Sequence, residues 1–211
     1  MFEEGQGASC LQDYYEQKQP RQLDRFQLIA VTDAASYPRS LAEQIERIAN
    51  FEHKPTKLIL RAKGLETDVY AELAHKTQPL CLKYGIELIL HTHWQLAQSM
   101  GLIAVHVPLP LLANIPLEVR KSLYISVSVH SVAEAEQALQ LGAKALIAGH
   151  IYATSCKPGL PPRGLEFLRS ICVFDVPIYA IGGIGFDAKQ WRELEGAGAA
   201  GACIMSGYMQ I

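Results

Sequence analysis

From residue 27 onward the chain alternates between two hydrophobic patterns. Short runs at 27–33, 57–63, 87–93, 104–108, 124–130, 145–151, 177–184 and 201–207 are rich in successive apolar residues. That is the signature of strands covered on both faces. Between them lie stretches such as 41–49 and 132–139, whose apolar residues recur every three or four positions. That spacing predicts amphipathic helices. Eight such strands alternating with helices predict an α/β chain folded as a (β/α)8 TIM barrel. A doubly wound open sheet is the alternative, but no Gly-x-Gly-x-x-Gly follows the first run.

The two ends of the chain depart from a regular barrel. The eighth run stops close to Ile211, which predicts a truncated or absent eighth helix. Residues 1–26 form an N-terminal extension ahead of a barrel domain at 27–211, and 9–19 carry the pattern of a short helix. Either the extension or a neighbouring subunit of a homo-oligomer covers the apolar outer face of the last strand, or the extension is a disordered leader.

Composition narrows the class. With 211 residues, 49% of them hydrophobic and 19% charged, the chain has the make-up of one soluble globular domain. A net charge of −2 supplies no basic face for nucleic acid. The N-terminus is acidic and lacks a signal-peptide run, and no apolar stretch is long enough to cross a bilayer. Cys10, Cys81, Cys156, Cys172 and Cys203 are odd in number and widely spaced. They read as reduced thiols of a cytoplasmic protein rather than a disulfide frame or zinc site.

Candidate chemistry gathers at the strand ends, where barrels of this type place their active sites. Those ends carry Asp33, Arg61, Lys63, His91, His93, Ser128, His130 and His150, and four of the seven histidines are among them. Histidine is the side chain suited to moving protons near neutral pH. After the sixth run, residues 149–164 form a long Gly- and Pro-rich loop holding Thr154, Ser155, Cys156, Lys157 and Arg163. This group suits an anion; a basic surface loop is the plainer alternative. Gly182 and Gly183 after strand seven, with Met205 and Ser206 after strand eight, predict a phosphate site built from bare backbone N–H groups. The glycines could equally serve a tight turn. His91 and His93 with His106 or His150 make a lesser, metal-binding alternative, with no acidic partner evident.

Ser128-Val129-His130-Ser131 with Glu134-Ala135, the 149–164 loop, and Ala180-Ile181-Gly182-Gly183-Ile184 resemble the thiamine phosphate synthase/thiazole tautomerase family. The resemblance implies a barrel that handles a thiazole ethyl phosphate. In that family, synthases join the thiazole to a pyrimidine diphosphate with magnesium held by aspartates, and tautomerases only shift a proton. Synthases carry an Asn-Asp-Arg triplet at the third strand end and a Gly-Gln-Glu-Asp-like stretch after the fourth. Here these places read His91-Thr92-His93 and Val107-Pro108-Leu109-Pro110-Leu111, without a carboxylate for magnesium. The resemblance therefore implies a thiazole tautomerase-like isomerase with no metal or other cofactor and a small phosphorylated thiazole as its partner. His130 is then catalytic. Arg61, Lys63, His91, Ser128, Thr154, Cys156 and Lys157 bind substrate, and Gly182, Gly183, Met205 and Ser206 hold phosphate. The alternatives are a thiamine phosphate synthase, using a carboxylate such as Asp33, and a non-catalytic phosphate-ligand-binding regulatory protein.

Overall fold

The computed structural model describes residues 26–33 and 39–211. Eight parallel strands close into a barrel in sequence order, with β8 pairing back onto β1 through Leu28↔Ala202 and Ala30↔Ile204. They are β1 (Gln27–Val31), β2 (Lys57–Leu60), β3 (Glu87–His91), β4 (Ala104–Pro108), β5 (Tyr124–Val129), β6 (Ala145–Gly149), β7 (Ile178–Ile181) and β8 (Gly201–Ile204). The (β/α)8 expectation is met. Most of the eight runs overshoot at their C-terminal ends. Residues such as Thr32, Lys63 and His93 keep a strand-like composition but lie beyond the ladder, where the chain turns into the mouth.

The described helices are α1 (Leu41–Asn50), α2 (Thr67–Lys83), α3 (Trp94–Ser99), α4 (Leu109–Leu112), α5 (Leu117–Ser122), α6 (Val132–Gln140), α7 (Gly164–Ile171), α8 (Ala188–Gly196) and α9 (Ser206–Gln210). Their starts follow capping chemistry. Ser40 and Glu43 form a reciprocal capping box at α1, and the Ser131 hydroxyl accepts from the Glu134 N–H at α6. Strand alternation then separates two cores. Ile29, Val31, Ile59, Ile89, Ile147 and Tyr179 pack inside the barrel, while Ala30, Leu58, Leu60, Leu90 and Val127 pack outward beneath the helices.

The eighth helix is truncated to the five residues of α9. Its Tyr208 and Met209 are buried in the same outer core as Ala202 and Ile204 of β8. The Gln44 amide donates to Tyr208 O at 2.6 Å, which ties α9 to α1. The helix packed against β8 is α8, and the chain's last turn shares that outer core beside it. The proposed cover from the N-terminal extension falls on residues 1–25, outside the described residues. Among the described residues no helix is long and apolar enough to cross a membrane, and Cys81, Cys156, Cys172 and Cys203 are free thiols.

Candidate active site

Strand β5 sends Ser126, Ser128 and His130 toward the lumen and mouth, because alternate residues of a strand share a face. His130 stands just past the last ladder residue, Val129. Its backbone N–H donates to Glu134 Oε2 at 2.6 Å, and the same carboxylate oxygen lies 3.2 Å from ring Nδ1. Glu134 reaches back because it sits in the first turn of α6, whose N-cap Ser131 starts the helix directly after His130. With Nδ1–H donated to Glu134, Nε2 is left as the acceptor, the tautomer a general base needs. Desolvation lowers the His130 pKa, as does the Lys157 cation, against the opposing pull of Glu134. His130 is therefore predominantly neutral at pH 7.

The loop after β6 is held at both ends rather than hanging free. Ile151 N–H donates to Ile181 O at 2.9 Å and Tyr152 N–H to Gly182 O at 3.0 Å. At the far end Arg163 donates through Nε to Gly149 O at 3.0 Å. Arg163 thus closes the loop, and Lys157 is the half-buried cation it carries toward His130. Thr154 is turned inward to the loop, its hydroxyl accepting from Cys156 N–H at 3.3 Å, while Cys156 is exposed.

Opposite this loop, Arg61 extends from the end of β2 toward the β1–β8 seam. It donates to Asp33 Oδ1 at 3.0 Å and comes within 3.9 Å of Met205 Sδ. Its place is set by Thr32, whose hydroxyl donates to Arg61 O and accepts from Arg61 N–H, each at 2.8 Å. Arg61 is therefore brought to the expected phosphate end, beside Met205, and is already paired with Asp33. Lys63 is exposed in the turn that follows.

Strand β3 delivers His91 to the lumen, its ring 5.7 Å from that of His106 on β4. Burial lowers the His91 pKa to about 4, with Arg61, Lys63 and His93 adding to the effect. Thr92 takes a left-handed φ of 70°, rare for a β-branched residue, and strand alternation lapses there. His93 consequently stacks on Tyr70 of α2 at 3.9 Å. His150 is buried at the root of the β6 loop, donating through Nε2 to Leu160 O at 3.3 Å. The four strand-end histidines do not converge: His91 and His130 face the mouth, His93 and His150 serve packing. Among the described residues no group of three His, Cys, Asp or Glu side chains could hold a metal ion.

Gly182 and Gly183 have φ of 100° and 69°. A Cβ at Gly182 would lie 2.3 Å from His150 Cβ, and one at Gly183 would lie 2.4 Å from Ala153 O. Close packing against the β6 loop thus requires both glycines, independently of any anion. Ser206 is exposed at the start of α9, beside Met205.

Three neighbours, Glu134, His106 and Ser126, complete these contacts without being among the site residues that the sequence indicates. Glu134 could have been found from its spacing of four from His130 on a helix start. His106 enters the sequence reading only as a metal-binding alternative, and its pairing with Ser126 in mid-strand emerges only from the register.

The magnesium site expected of a synthase does not fit these residues. The strand-three and strand-four ends present His91, Thr92 and Pro108. Asp33 after β1 and Glu134 after β5 are engaged by Arg61 and His130, whereas magnesium prefers oxygen ligands beside substrate phosphates.

Residues 28–208 match the family described as "Thiamine monophosphate synthase". A "Thiamine-phosphate synthase" of Pyrococcus horikoshii is 28% identical over 189 residues, covering 88% of each chain. That of Chloroflexus aurantiacus is 32% identical over 188 residues, covering 86% of this chain and 84% of the relative. A rice "Probable thiamine biosynthetic bifunctional enzyme, chloroplastic" is 32% identical over 170 residues; the match covers 76% of this chain but 30% of that longer protein. Among solved structures, a thiamine phosphate pyrophosphorylase from Pyrococcus furiosus aligns with a TM-score of 0.74 at 25% identity, covering 90% of each chain.

Proposed function

The chain belongs to the thiamine monophosphate synthase family, and from that premise we propose that it is a thiazole tautomerase-like isomerase of thiamine biosynthesis. It would convert a non-aromatic thiazole carboxylate ethyl phosphate into the aromatic tautomer. The observation that carries this reading is the oriented, predominantly neutral His130 at the mouth, with Nδ1 held by Glu134 and Lys157 alongside.

In the proposed step, His130 Nε2 takes the proton from the ring carbon that bears the carboxylate. The electron pair moves into the ring and a proton is delivered to the exocyclic carbon, so the reaction is redox-neutral and loses no group. Negative charge builds beside the carboxylate during proton removal, and Lys157, whose charge already acts on His130, would stabilise it. The phosphate would lie at the seam, against Gly182, Gly183, Met205 and Ser206 with Arg61 nearby. Ser128 and His91 would line the ring, and Thr154 and Cys156 the loop side.

A second reading is thiamine phosphate synthase, a transferase, and the names of the relatives favour it over the isomerase. The strand-three and strand-four ends speak against it, because the neutral residues there offer magnesium no carboxylate. The deciding experiment offers purified protein the non-aromatic thiazole carboxylate phosphate in EDTA, and separately thiazole phosphate with pyrimidine diphosphate and magnesium. Aromatic product in the first mixture is expected. Turnover only in the second replaces the isomerase with the synthase. Turnover in neither, with the phosphorylated ligand bound, leaves the regulatory reading.

A further inference from the structure

Inside the barrel, His106 bridges two serines of the neighbouring strand. Its Nδ1 lies 2.9 Å from Ser126 Oγ and its Nε2 lies 2.8 Å from Ser128 Oγ. The register pairs His106 with Ser126 directly, so the ring spans two lumen-facing residues of β5. We infer that His106 is a positioning residue: carrying its proton on Nδ1, it turns the Ser128 hydroxyl into a pure hydrogen-bond acceptor toward the mouth, so that a bound ring presents a hydrogen-bearing edge to β5.

Counting donors fixes the direction. The ring is buried and stays neutral, since burial lowers its pKa to about 3; one nitrogen therefore donates and the other accepts. The Ser126 hydroxyl also donates to Val105 O at 3.4 Å. With its proton used there, Ser126 Oγ accepts from Nδ1–H, Nε2 is bare, and Ser128 gives its own proton to Nε2. All three protons of the relay then have receivers, as buried polar groups require. The opposite tautomer takes the Ser126 proton from Val105 O and leaves the Ser128 proton outside the relay.

The consequence reaches the ligand. Ser128 presents only lone pairs to the mouth, so a bare ring nitrogen is repelled from β5 and an N–H or C–H edge is accepted. His130 stands two residues further along the same strand face. Resting on the tautomerase reading, this orientation turns the hydrogen-bearing ring carbon toward the base that removes its proton. Ser128 selects by polarity, and His106 gives it that polarity through a contact that never touches the ligand.

The tautomer is read without substrate. Long-range proton–nitrogen correlation of the imidazole rings at pH 7 should show His106 with a protonated Nδ1 and a bare Nε2. The signal is assigned by its loss in His106→Gln, or by correlation to the backbone where that variant does not fold. A protonated Nε2 overturns the inference. Ser126→Ala removes the acceptor for Nδ1–H. It should move the proton to Nε2 and lower kcat about tenfold, the effect of one lost oriented hydrogen bond, without raising KM. An unchanged tautomer in that variant also overturns it. If wild type shows the Nδ1 proton but has no tautomerase turnover, the relay stands and the functional reading falls.

Discussion

Glu134 grips His130 twice through one oxygen, at the backbone N–H (2.6 Å) and at ring Nδ1 (3.2 Å). The pair is exposed by somewhat more than a third on each side, so its contribution to stability is small. Its effect is on orientation, because the bond to Nδ1 turns Nε2 toward the mouth.

Replacing the ring removes the proton carrier. His130→Asn should keep the fold and bind the aromatic product, yet lose turnover by roughly 10²–10⁴-fold, the range for a positioned acid–base group. Product titration beside steady-state kinetics checks this. Turnover equal to wild type would remove His130 from the mechanism.

The pH profile should report the neighbours of His130. Desolvation and then Lys157 push its pKa below the ordinary histidine value, and Glu134 pushes it up. The base works unprotonated, so activity should fall as the medium is acidified through that lowered pKa. Lys157→Met, which removes a cation, should move the acid limb toward higher pH. Glu134→Gln, which removes an anion, should move it toward lower pH. Limbs that shift together, or not at all, would dissociate these charges from the working base.

Metal should be dispensable. Tautomerisation should proceed unchanged in EDTA, because the strand-three and strand-four ends carry no carboxylates. A strict magnesium requirement, restored by adding the ion back, would place the synthase reading first.

Acid should weaken the fold through His106. Its folded pKa of about 3 lies below the unfolded value of 6.5, so the unfolded chain binds the extra proton first. The stabilisation is fully present above 6.5 and is lost as pH falls toward the folded value. About 2 kcal/mol should go between pH 7 and roughly pH 5, at 1.36 kcal/mol for each unit traversed below 6.5. Thermal melts across that window check it. His106→Gln should flatten the slope, whatever its own stability.

Glycine and serine at the seam should behave differently. Gly183→Ala drives a methyl group against Ala153 O at a left-handed φ. It should cost about 1–3 kcal/mol and weaken phosphate binding together with the loop. Ser206→Ala, at an exposed position, should weaken phosphate binding while leaving Tm in place. Isothermal titration with inorganic phosphate beside melting curves separates the two; a stable Gly183→Ala protein would contradict the packing.

The barrel was legible because apolar runs and helical periodicity are written locally, one element at a time. The place of His130 is legible for the same reason: Ser128 to Ser131 ends a strand and caps a helix in four consecutive residues. The His91–His93 pairing failed on one residue, since the left-handed turn at Thr92 breaks the alternation on which it depended. His150 does stand at a strand end, where it shapes the loop through Leu160, but its packing against Gly182 crosses from β6 to β7 and is not written in a linear pattern. The His106–Ser126–Ser128 relay needed register, which a linear pattern does not contain.

Arg61 stands where the first and last strands meet, with its charge already answered by Asp33. The mouth therefore meets an incoming ligand with a cation that has an anion in reserve. A singly charged visitor must displace an equal rival fixed at ideal range and gains little by doing so. A dianion outbids that rival in Coulombic terms, and can also share the guanidinium without displacing it. On the proposed reading, Asp33 would thus filter by valence, because the pair it makes with Arg61 favours a doubly charged group over a singly charged one.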